Sequence, residues 1–346
     1  MAMSEEPVTK TETRCSALLR VLIRVALLVL IAWGCAALWF DGPSSRPFAA
    51  ALAAVFGLGS SGILFFVQPF RRGAVVCLLV FLLLLGWWYR IAPRNDRNWQ
   101  PDVAVLPTAE ISGDRLTVHN VRNFDYRSET DYTTRWETRT YDLAKLQGLD
   151  LFISYWGPRA IAHTILSWQF EDSAPLAISI ETRKEEGEEY SALRGFFRQF
   201  ELYYVVADER DLIRLRTNFR GEEVYLYQLR TPPARARALL LDYLATVNRL
   251  ANTPDWYNAF THNCTTTIVL HIRDLGLPFS WGWKMFLNGY LDERLYQEGI
   301  INRSLAFDRL RDRSAITSVA RAIESPTEFS ASIRTGLPER PPPPDF

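Results

Sequence analysis

Three long apolar stretches near the N-terminus constrain this chain more than any other feature. They run from about Leu18 to Phe40, Phe48 to Phe70 and Gly73 to Tyr89. A helix needs roughly 17 to 25 apolar residues to cross a bilayer, and each stretch meets that length. The sequence therefore predicts a membrane anchor of three helices in residues 1–92. A cleaved signal peptide is the alternative for the first stretch, although no small-residue cleavage site precedes Trp39.

Basic residues set the expected orientation of these helices. They flank the N-terminal side of the first span and fill the short turn between the second and third spans: Lys10, Arg14, Arg20, Arg24, Arg71 and Arg72. Positive residues are retained on the cytoplasmic side, so we expect a cytoplasmic N-terminus. Three crossings of a bacterial inner membrane then deliver everything after Tyr89 to the periplasm.

The rest of the chain reads as a soluble fold of class α+β. We expect a linker in residues 93–109, a folded domain in 110–312, and a helix with a disordered Pro-rich tail in 313–346. Helical segments are predicted at Glu209–Asn218 and Ala234–Asn252. Alternation of apolar and polar residues predicts the strands of an antiparallel sheet at Arg115–Phe124, Thr134–Leu143, Leu149–Trp156, Ala160–Phe170, Leu176–Arg183, Glu201–Ala207 and Glu222–Arg230.

Cys264 is the candidate nucleophile, and it is the only cysteine after the apolar N-terminal part. Asn263 is a good N-cap residue, and Gly276 can end a helix of about three turns that starts at Cys264. A thiol at a helix N-terminus lies at the positive end of the macrodipole, which favours the reactive thiolate. The alternative is a buried structural cysteine.

A nucleophilic thiol needs a base, and the four histidines differ in how well they fit. His271 lies seven residues after Cys264 on the same predicted helix, roughly 10 Å along its axis, which is too far for proton transfer. His262 could reach the thiol only through a tight loop, and His119 fits a packed or surface residue. His163 is a polar ring in an apolar strand, where a sheet would hold it rigidly. A satisfied core histidine is the alternative reading of His163.

The segments around these residues resemble the Lnb N-terminal periplasmic domain family. The resemblance is carried by the runs Ile161-Ala162-His163-Thr164, Ile178-Ser179-Ile180-Glu181-Thr182-Arg183 and Asn263-Cys264-Thr265-Thr266, with Val121-Arg122-Asn123-Phe124-Asp125-Tyr126, Glu209-Arg210-Asp211 and Leu215-Arg216-Thr217. It covers about residues 110–300. This family is similar to permuted papain-like proteins of the lecithin retinol acyltransferase type, in which histidine precedes cysteine. The resemblance thus implies a permuted papain-like domain with an antiparallel sheet and a Cys-bearing helix.

The resemblance also implies roles for individual residues. Cys264 would be the nucleophile and His163 the general base. Glu181, on the neighbouring strand, would orient the imidazole, and a surface carboxylate paired with Arg183 is its alternative. The oxyanion would meet the N–H of Cys264 and a second donor from Asn263 or Tyr257. The implied chemistry is acyl transfer or hydrolysis, with membrane lipid as partner and a lipoprotein or other cell-envelope substrate.

Other classes of function find less support in the sequence. Acidic and basic residues balance at 39 each, so the charge does not favour a nucleic-acid partner. There is no Gly-rich phosphate loop and no metal-ligand spacing, so we expect no cofactor and no metal. A cell-wall peptidase or amidase would use the same thiol. A non-catalytic membrane scaffold would keep Cys264 and His163 for packing alone.

Overall fold

The computed structural model describes residues 8–276, 288–323 and 328–343, with side chains from residue 17 onward. The chain divides into two compact units. The first comprises Met1–Pro93 and Phe197–Gln199, and the second comprises Arg94–Phe196 and Phe200–Phe346. Each unit is built from its own set of elements.

Three apolar helices form the first unit: α1 (Val8–Phe40), α2 (Arg46–Phe66) and α3 (Phe70–Tyr89). All three are long and apolar enough to cross a membrane, α1 over its Ala17–Phe40 part. The helices pack on each other through a small apolar cluster that includes Leu27, Ile31 and Leu64. The three membrane-capable helices predicted from the sequence are therefore present.

The break between the second and third helices lies earlier than predicted. We expected α2 to reach Phe70 and α3 to start at Gly73, but α2 ends at Phe66 and Phe70 already begins α3. Pro69 explains the difference, because proline lacks an N–H and disfavours helical backbone in the residue before it. The apolar character of the segment continues across Pro69 and hid this boundary from the hydropathy pattern.

A mostly antiparallel sheet is the centre of the second unit. Its strand order is β1-β2-β9-β8-β7-β6-β10, β5 pairs with β2, and β3 and β4 form a separate two-stranded ribbon. β2 joins β9 through a parallel pair at Arg122 and Ala207, whereas the other pairings are antiparallel. The strands are β1 (Thr108–Ser112), β2 (Arg115–Arg122), β3 (Asp125–Tyr126), β4 (Tyr132–Thr133), β5 (Trp136–Asp142), β6 (Leu146–Tyr155), β7 (His163–Phe170), β8 (Leu176–Arg183), β9 (Glu201–Asp208) and β10 (Glu223–Gln228).

Helices cover both faces of this sheet. Leu166 and Trp168 of β7 face one apolar core, which also contains the buried stripe of α5 and the start of α6. Ile165 of β7 faces the other, with Leu212 of α4 and Phe329 of α10. The helices of this unit are α4 (Glu209–Arg214), α5 (Pro233–Asn252), α6 (Cys264–Asp274), α7 (Leu291–Gln297), α8 (Phe307–Ser314), α9 (Thr317–Ala322) and α10 (Phe329–Ser332).

The mixed α+β class and the antiparallel character of the sheet agree with the sequence prediction. The strands from β2 onward and helices α5 and α6 lie where the pattern placed them, apart from the short ribbon of β3 and β4. The predicted helix Glu209–Asn218 is α helical only to Arg214 and continues as a π turn, Leu215–Phe219. Residues 94–107, predicted as linker, belong to the second unit, where Trp99 is buried.

Two arginines that precede the C-terminal proline run, Arg334 and Arg340, are bonded to buried carboxylates of the second unit. Arg334 contacts Asp150 at 2.8 Å and Glu209 at 2.6 Å, and Arg340 contacts Asp150 at 2.6 Å. Both carboxylates are completely buried, and a buried charge is costly unless it is paired. The countercharges explain why this polar segment is ordered, and nothing in its local composition indicates them.

Candidate functional site

Cys264 is the first residue of α6, and Asn263 caps this helix. The side-chain oxygen of Asn263 accepts hydrogen bonds from the N–H groups of Thr265 and Thr266, at 3.0 and 2.9 Å. The N–H of Asn263 donates back to the hydroxyl of Thr266 at 3.0 Å, which completes a capping box. Within the described ranges, the N–H of Cys264 itself has no hydrogen-bond acceptor. The cap thus leaves the N–H of Cys264, next to the thiol, able to donate a hydrogen bond to another molecule.

The imidazole of His163 and the thiol of Cys264 are close enough for the charge of each to shift the pKa of the other. His163 is the first residue of β7, and its side chain is 12% exposed. The next residue, Thr164, also lowers the pKa of the thiol, and its hydroxyl is 3.4 Å from that of Thr265 on α6. The start of β7 and the start of α6 therefore meet at the thiol, although 100 residues of chain separate them.

The charges of this pair shift both pKa values toward an ion pair. Burial alone would raise the pKa of the Cys264 thiol, but the charge of His163 and the polar groups of His163 and Thr164 lower it to about 7. Burial alone would lower the pKa of His163, but Glu181 and the Cys264 thiolate raise it to about 9. Between these values a thiolate and an imidazolium coexist, which is the reactive state of a cysteine nucleophile.

Glu181 lies on the other side of the imidazole. Nε2 of His163 is 2.7 Å from the hydroxyl of Ser179 and 3.1 Å from Oε1 of Glu181. The hydroxyl of Ser179 donates to the same oxygen at 2.7 Å, and Arg216 donates to it at 2.6 Å. Because Nε2 faces these groups, Nδ1 is the nitrogen available to the thiol. Burial opposes ionisation of Glu181, but His163 and Arg216 hold its pKa well below the usual range.

Asn288 joins the two elements that carry the thiol and the imidazole. Its side-chain oxygen accepts from the N–H of Ala162 at 2.8 Å, and its amide nitrogen donates to the carbonyl of Ala162 at 2.6 Å. The same nitrogen is 3.0 Å from the hydroxyl of Thr265 and 3.9 Å from the sulfur of Cys264. Gly289 allows this approach, because a Cβ there would overlap the carbonyl oxygen of Arg159. No local pattern in the sequence could reveal Asn288.

The structure brings Cys264, His163, Glu181 and Asn263 to one place, and their roles remain predictions. Asn263 serves the helix cap, and its amide nitrogen donates to the carbonyl of Ala259 at 2.8 Å. These bonds hold the start of α6, and the oxyanion contact of Asn263 stays a prediction. Tyr257, the other predicted donor, is buried, and Tyr190 is among the groups that raise the pKa of its phenol. Burial and the nearby Cys264 thiolate raise the pKa of Tyr257, so its phenol stays protonated.

Alternatives considered from the sequence find other partners in the structure. Glu181 pairs with Arg216, whereas Arg183 donates to the backbone carbonyls of Val103 and Ala104. His262 bonds to the hydroxyl of Thr261. Two further histidines also lie elsewhere: His119 is next to Thr138, and His271 contacts Asp242 and Tyr204.

Sequence reasoning missed Arg216, Thr164 and Asn288 as members of the site. The run Leu215-Arg216-Thr217 belonged to the family resemblance, and it was the one available signal for Arg216. Among the described residues, no three His, Cys, Asp or Glu side chains cluster as metal ligands. The arrangement as it stands can hold a thiolate next to a proton donor.

Comparison with known proteins bears on this domain. Residues 132–279 match the family described as Lnb N-terminal periplasmic domain. No curated protein and no solved structure matches the chain. The matched segment contains His163, Glu181, Arg216 and Cys264, and three membrane-capable helices precede it. These findings indicate a membrane-anchored protein with a periplasmic domain. The resemblance stated from the sequence is therefore confirmed, because residues 132–279 of this chain match the Lnb N-terminal periplasmic domain family.

Proposed function

We propose that this protein is a membrane-anchored periplasmic thiol enzyme that transfers or hydrolyses acyl groups through Cys264 and His163. One observation carries the proposal: a thiol of lowered pKa at a helix N-terminus, next to an imidazole whose charge lowers that pKa and whose other side contacts a carboxylate. A scaffold residue kept for packing needs neither the imidazole nor its carboxylate. The combination is that of an activated nucleophile, its acid-base partner and an orienting group.

The proposed reaction has two steps. The thiolate of Cys264 attacks an ester or amide carbonyl carbon, a C–S bond forms, and the carbonyl oxygen becomes negative. The intermediate collapses as the C–O or C–N bond breaks, and the imidazolium of His163 gives its proton to the leaving group. Neutral His163 then takes a proton from water, an amine or a hydroxyl, which attacks the thioester. The acyl group leaves on that acceptor and the Cys264 thiolate is restored.

The negative oxygen of the intermediate needs donors. The N–H of Cys264 supplies one, and the positive end of the α6 macrodipole adds to it. Glu181 keeps the imidazole oriented and stabilises its charged form, as the third group of such sites does. The order of His163 before Cys264 in the chain, strand before helix, supports a permuted papain-like arrangement of the domain.

Exposed apolar side chains near the site favour a lipid-like acyl donor. Trp156 and Ile161 are each 54% exposed on the loop that leads into His163, and Phe260 is 55% exposed on the loop that leads into Cys264. Exposed aromatic and aliphatic groups around a reactive centre suit acyl chains better than the polar strands of a cell-wall peptide. The proposed substrates are therefore lipids or lipoproteins, presented at the outer face of the bacterial inner membrane with the N-terminus in the cytoplasm.

Labelling of the detergent-purified protein with a fatty-acyl ester probe, followed by peptide mass spectrometry, tests this function. We expect a thioester on Cys264 that hydroxylamine removes and that is absent from Cys264→Ala. Cys35→Ala is the matched control, because it removes a thiol of the helical anchor and should leave the adduct unchanged. Failure of Cys264 to form any adduct with fatty-acyl, short-acyl or peptide substrates contradicts the enzyme proposal. Turnover of peptidoglycan fragments alone would instead support the cell-wall amidase.

A further inference from the structure

Arg216 is buried and bonds to Glu181, the carboxylate that contacts the imidazole in the chemistry proposed above. Its guanidinium is 4% exposed and donates to Oε1 of Glu181 at 2.6 Å. That oxygen is the one 3.1 Å from Nε2 of His163. The guanidinium and the imidazole thus share one carboxylate oxygen, and each cation reduces the effect of that carboxylate on the other.

The backbone around Arg216 is specialised for this placement. Arg216 is the second residue of the π turn Leu215–Phe219, which follows α4 directly. A π turn widens the helix and changes the direction of its side chains, and such turns are frequent at functional sites. The carbonyl of Arg216 also accepts from the N–H of Glu222 at 3.0 Å. Arg216 is therefore held both at its backbone carbonyl and at its guanidinium.

A second carboxylate completes the surroundings of the guanidinium. Oε2 of Glu222 is 4.0 Å from Nε of Arg216 and accepts a hydrogen bond from Ser154. Ser154 is the residue of β6 that pairs with His163 of β7. A closed set of polar contacts therefore runs from the backbone partner of His163 through Glu222, Arg216 and Glu181 back to the imidazole.

We infer that Arg216 is a positioning residue of the proposed acyl-transfer site, which holds Glu181 on His163 and offsets its charge so that the imidazole can still release its proton. This inference rests on the proposed function. The charged and titratable groups that face His163 are Glu181 on β8, Cys264 on α6 and Arg216 on the π turn. Glu181 and the thiolate favour the imidazolium, and Arg216 opposes it. In the second reaction step His163 must be neutral to accept a proton. The charge of Arg216 lowers the pKa of His163 and so makes the neutral form easier to reach.

The pH profile of Cys264 alkylation by iodoacetamide, in the full-length protein, tests the inference. Mass spectrometry of the peptide that carries Cys264 excludes the thiols of the helical anchor. The rate should rise near pH 7 as the thiolate forms, and again near pH 9 as His163 loses its proton. Without Arg216 the charge of Glu181 is no longer offset, so Arg216→Gln should move the upper step to higher pH by about one unit. Arg216→Lys keeps the charge and should leave the step near its original position.

Two further variants keep the test decisive. Arg139→Met removes another largely buried arginine, which pairs with Glu137 on β5 and Asp208 on β9. This variant should leave both steps unchanged. If Arg216→Gln does not fold, Arg216→Gln combined with Glu222→Gln balances the charge and should still raise the upper step, by a smaller amount. An upper step that stays in place or moves to lower pH overturns the inference. Alkylation requires no acyl substrate, so this result is independent of the acyl-labelling experiment.

Discussion

A histidine–carboxylate pair lies near each end of α6, and the pKa values of the two histidines are shifted in opposite directions. At the N-terminal end, His163 lies 3.1 Å from Glu181 and its pKa is raised to about 9. Near the C-terminal end, Nδ1 of His271 lies 2.6 Å from Asp242. Burial lowers the pKa of His271, and the Asp242 carboxylate opposes this without reversing it. A nearby carboxylate therefore does not by itself make a histidine an acid-base group.

Burial does not explain the contrast. The side chain of His163 is 12% exposed and that of His271 is 7% exposed, and their carboxylates Glu181 and Asp242 are 27% and 34% exposed. The other neighbour of each ring differs more. His163 faces the thiol of Cys264, which can ionise, whereas Nε2 of His271 is 2.7 Å from the phenol of Tyr204. Burial raises the pKa of Tyr204 and keeps it neutral. The second anion distinguishes the reactive site from the packed one.

The largest expected effect separates the two histidines directly. In His163→Asn the Cys264 thiol loses the charge that lowers its pKa from the ordinary value of 9.0 to about 7. The thiolate fraction at pH 7, and with it the rate of alkylation by iodoacetamide at Cys264, should then fall about 50-fold. In His271→Asn the same rate should change less than twofold. Equal losses in both variants would remove the distinction between the two ends.

The carboxylates should follow the histidines, with smaller effects. Glu181→Gln keeps the shape of the side chain and removes the anion that raises the pKa of His163. A weaker imidazolium stabilises the thiolate less, so a rise of roughly one unit in the thiol pKa should lower the alkylation of Cys264 at pH 7 about fivefold. Asp242→Asn is the matched control and should leave the rate within twofold. A larger effect from Asp242→Asn would show that the two ends of α6 are coupled.

The cap of α6 should affect stability more than reactivity. Asn263→Ala removes the acceptor for the N–H groups of Thr265 and Thr266, and loss of such a cap costs about 1 kcal/mol. Thermal unfolding of the purified protein measures this cost. The Cys264 alkylation rate at pH 7 should decrease less than threefold, because His163 and Thr164 still lower the pKa of the thiol. A loss comparable to that of His163→Asn would assign Asn263 a direct chemical role.

The smallest expected effect is the pH dependence that His271 gives to stability. Its folded-state pKa is lowered, so the unfolded chain binds a proton more readily than the folded protein. Its contribution to stability is present above the ordinary histidine pKa of about 6.5 and is lost as the pH falls below it. Between pH 7 and 5, His271→Asn should reduce the acid-induced drop in Tm, by about 2 °C or less. An unchanged drop would show that His271 does not titrate differently on unfolding.

Local patterns predicted the elements that carry the site but not its closure. Asn263 before an apolar run predicted the start of α6 at Cys264, and Gly276, whose φ is +68°, follows its end. Alternation predicted β7 and β8, and hence the neighbourhood of His163 and Glu181. Arg216 and Asn288 enter the site from a π turn and from a segment beyond α6. Neither placement follows from periodicity, because both depend on contacts between residues distant in the chain.

The sequence by itself determined three membrane-capable helices, an α+β domain of a recognisable family and a thiol at a helix N-terminus. These follow from apolar length, residue periodicity and capping, which act over a few turns or strands of chain. Only the tertiary structure decided which cation pairs with the Glu181 carboxylate beside His163, and which of the two buried histidines has its pKa raised and which has it lowered. Such pKa shifts depend on charges a few ångströms apart in space, and those distances exist only once the sheet and α6 have packed together.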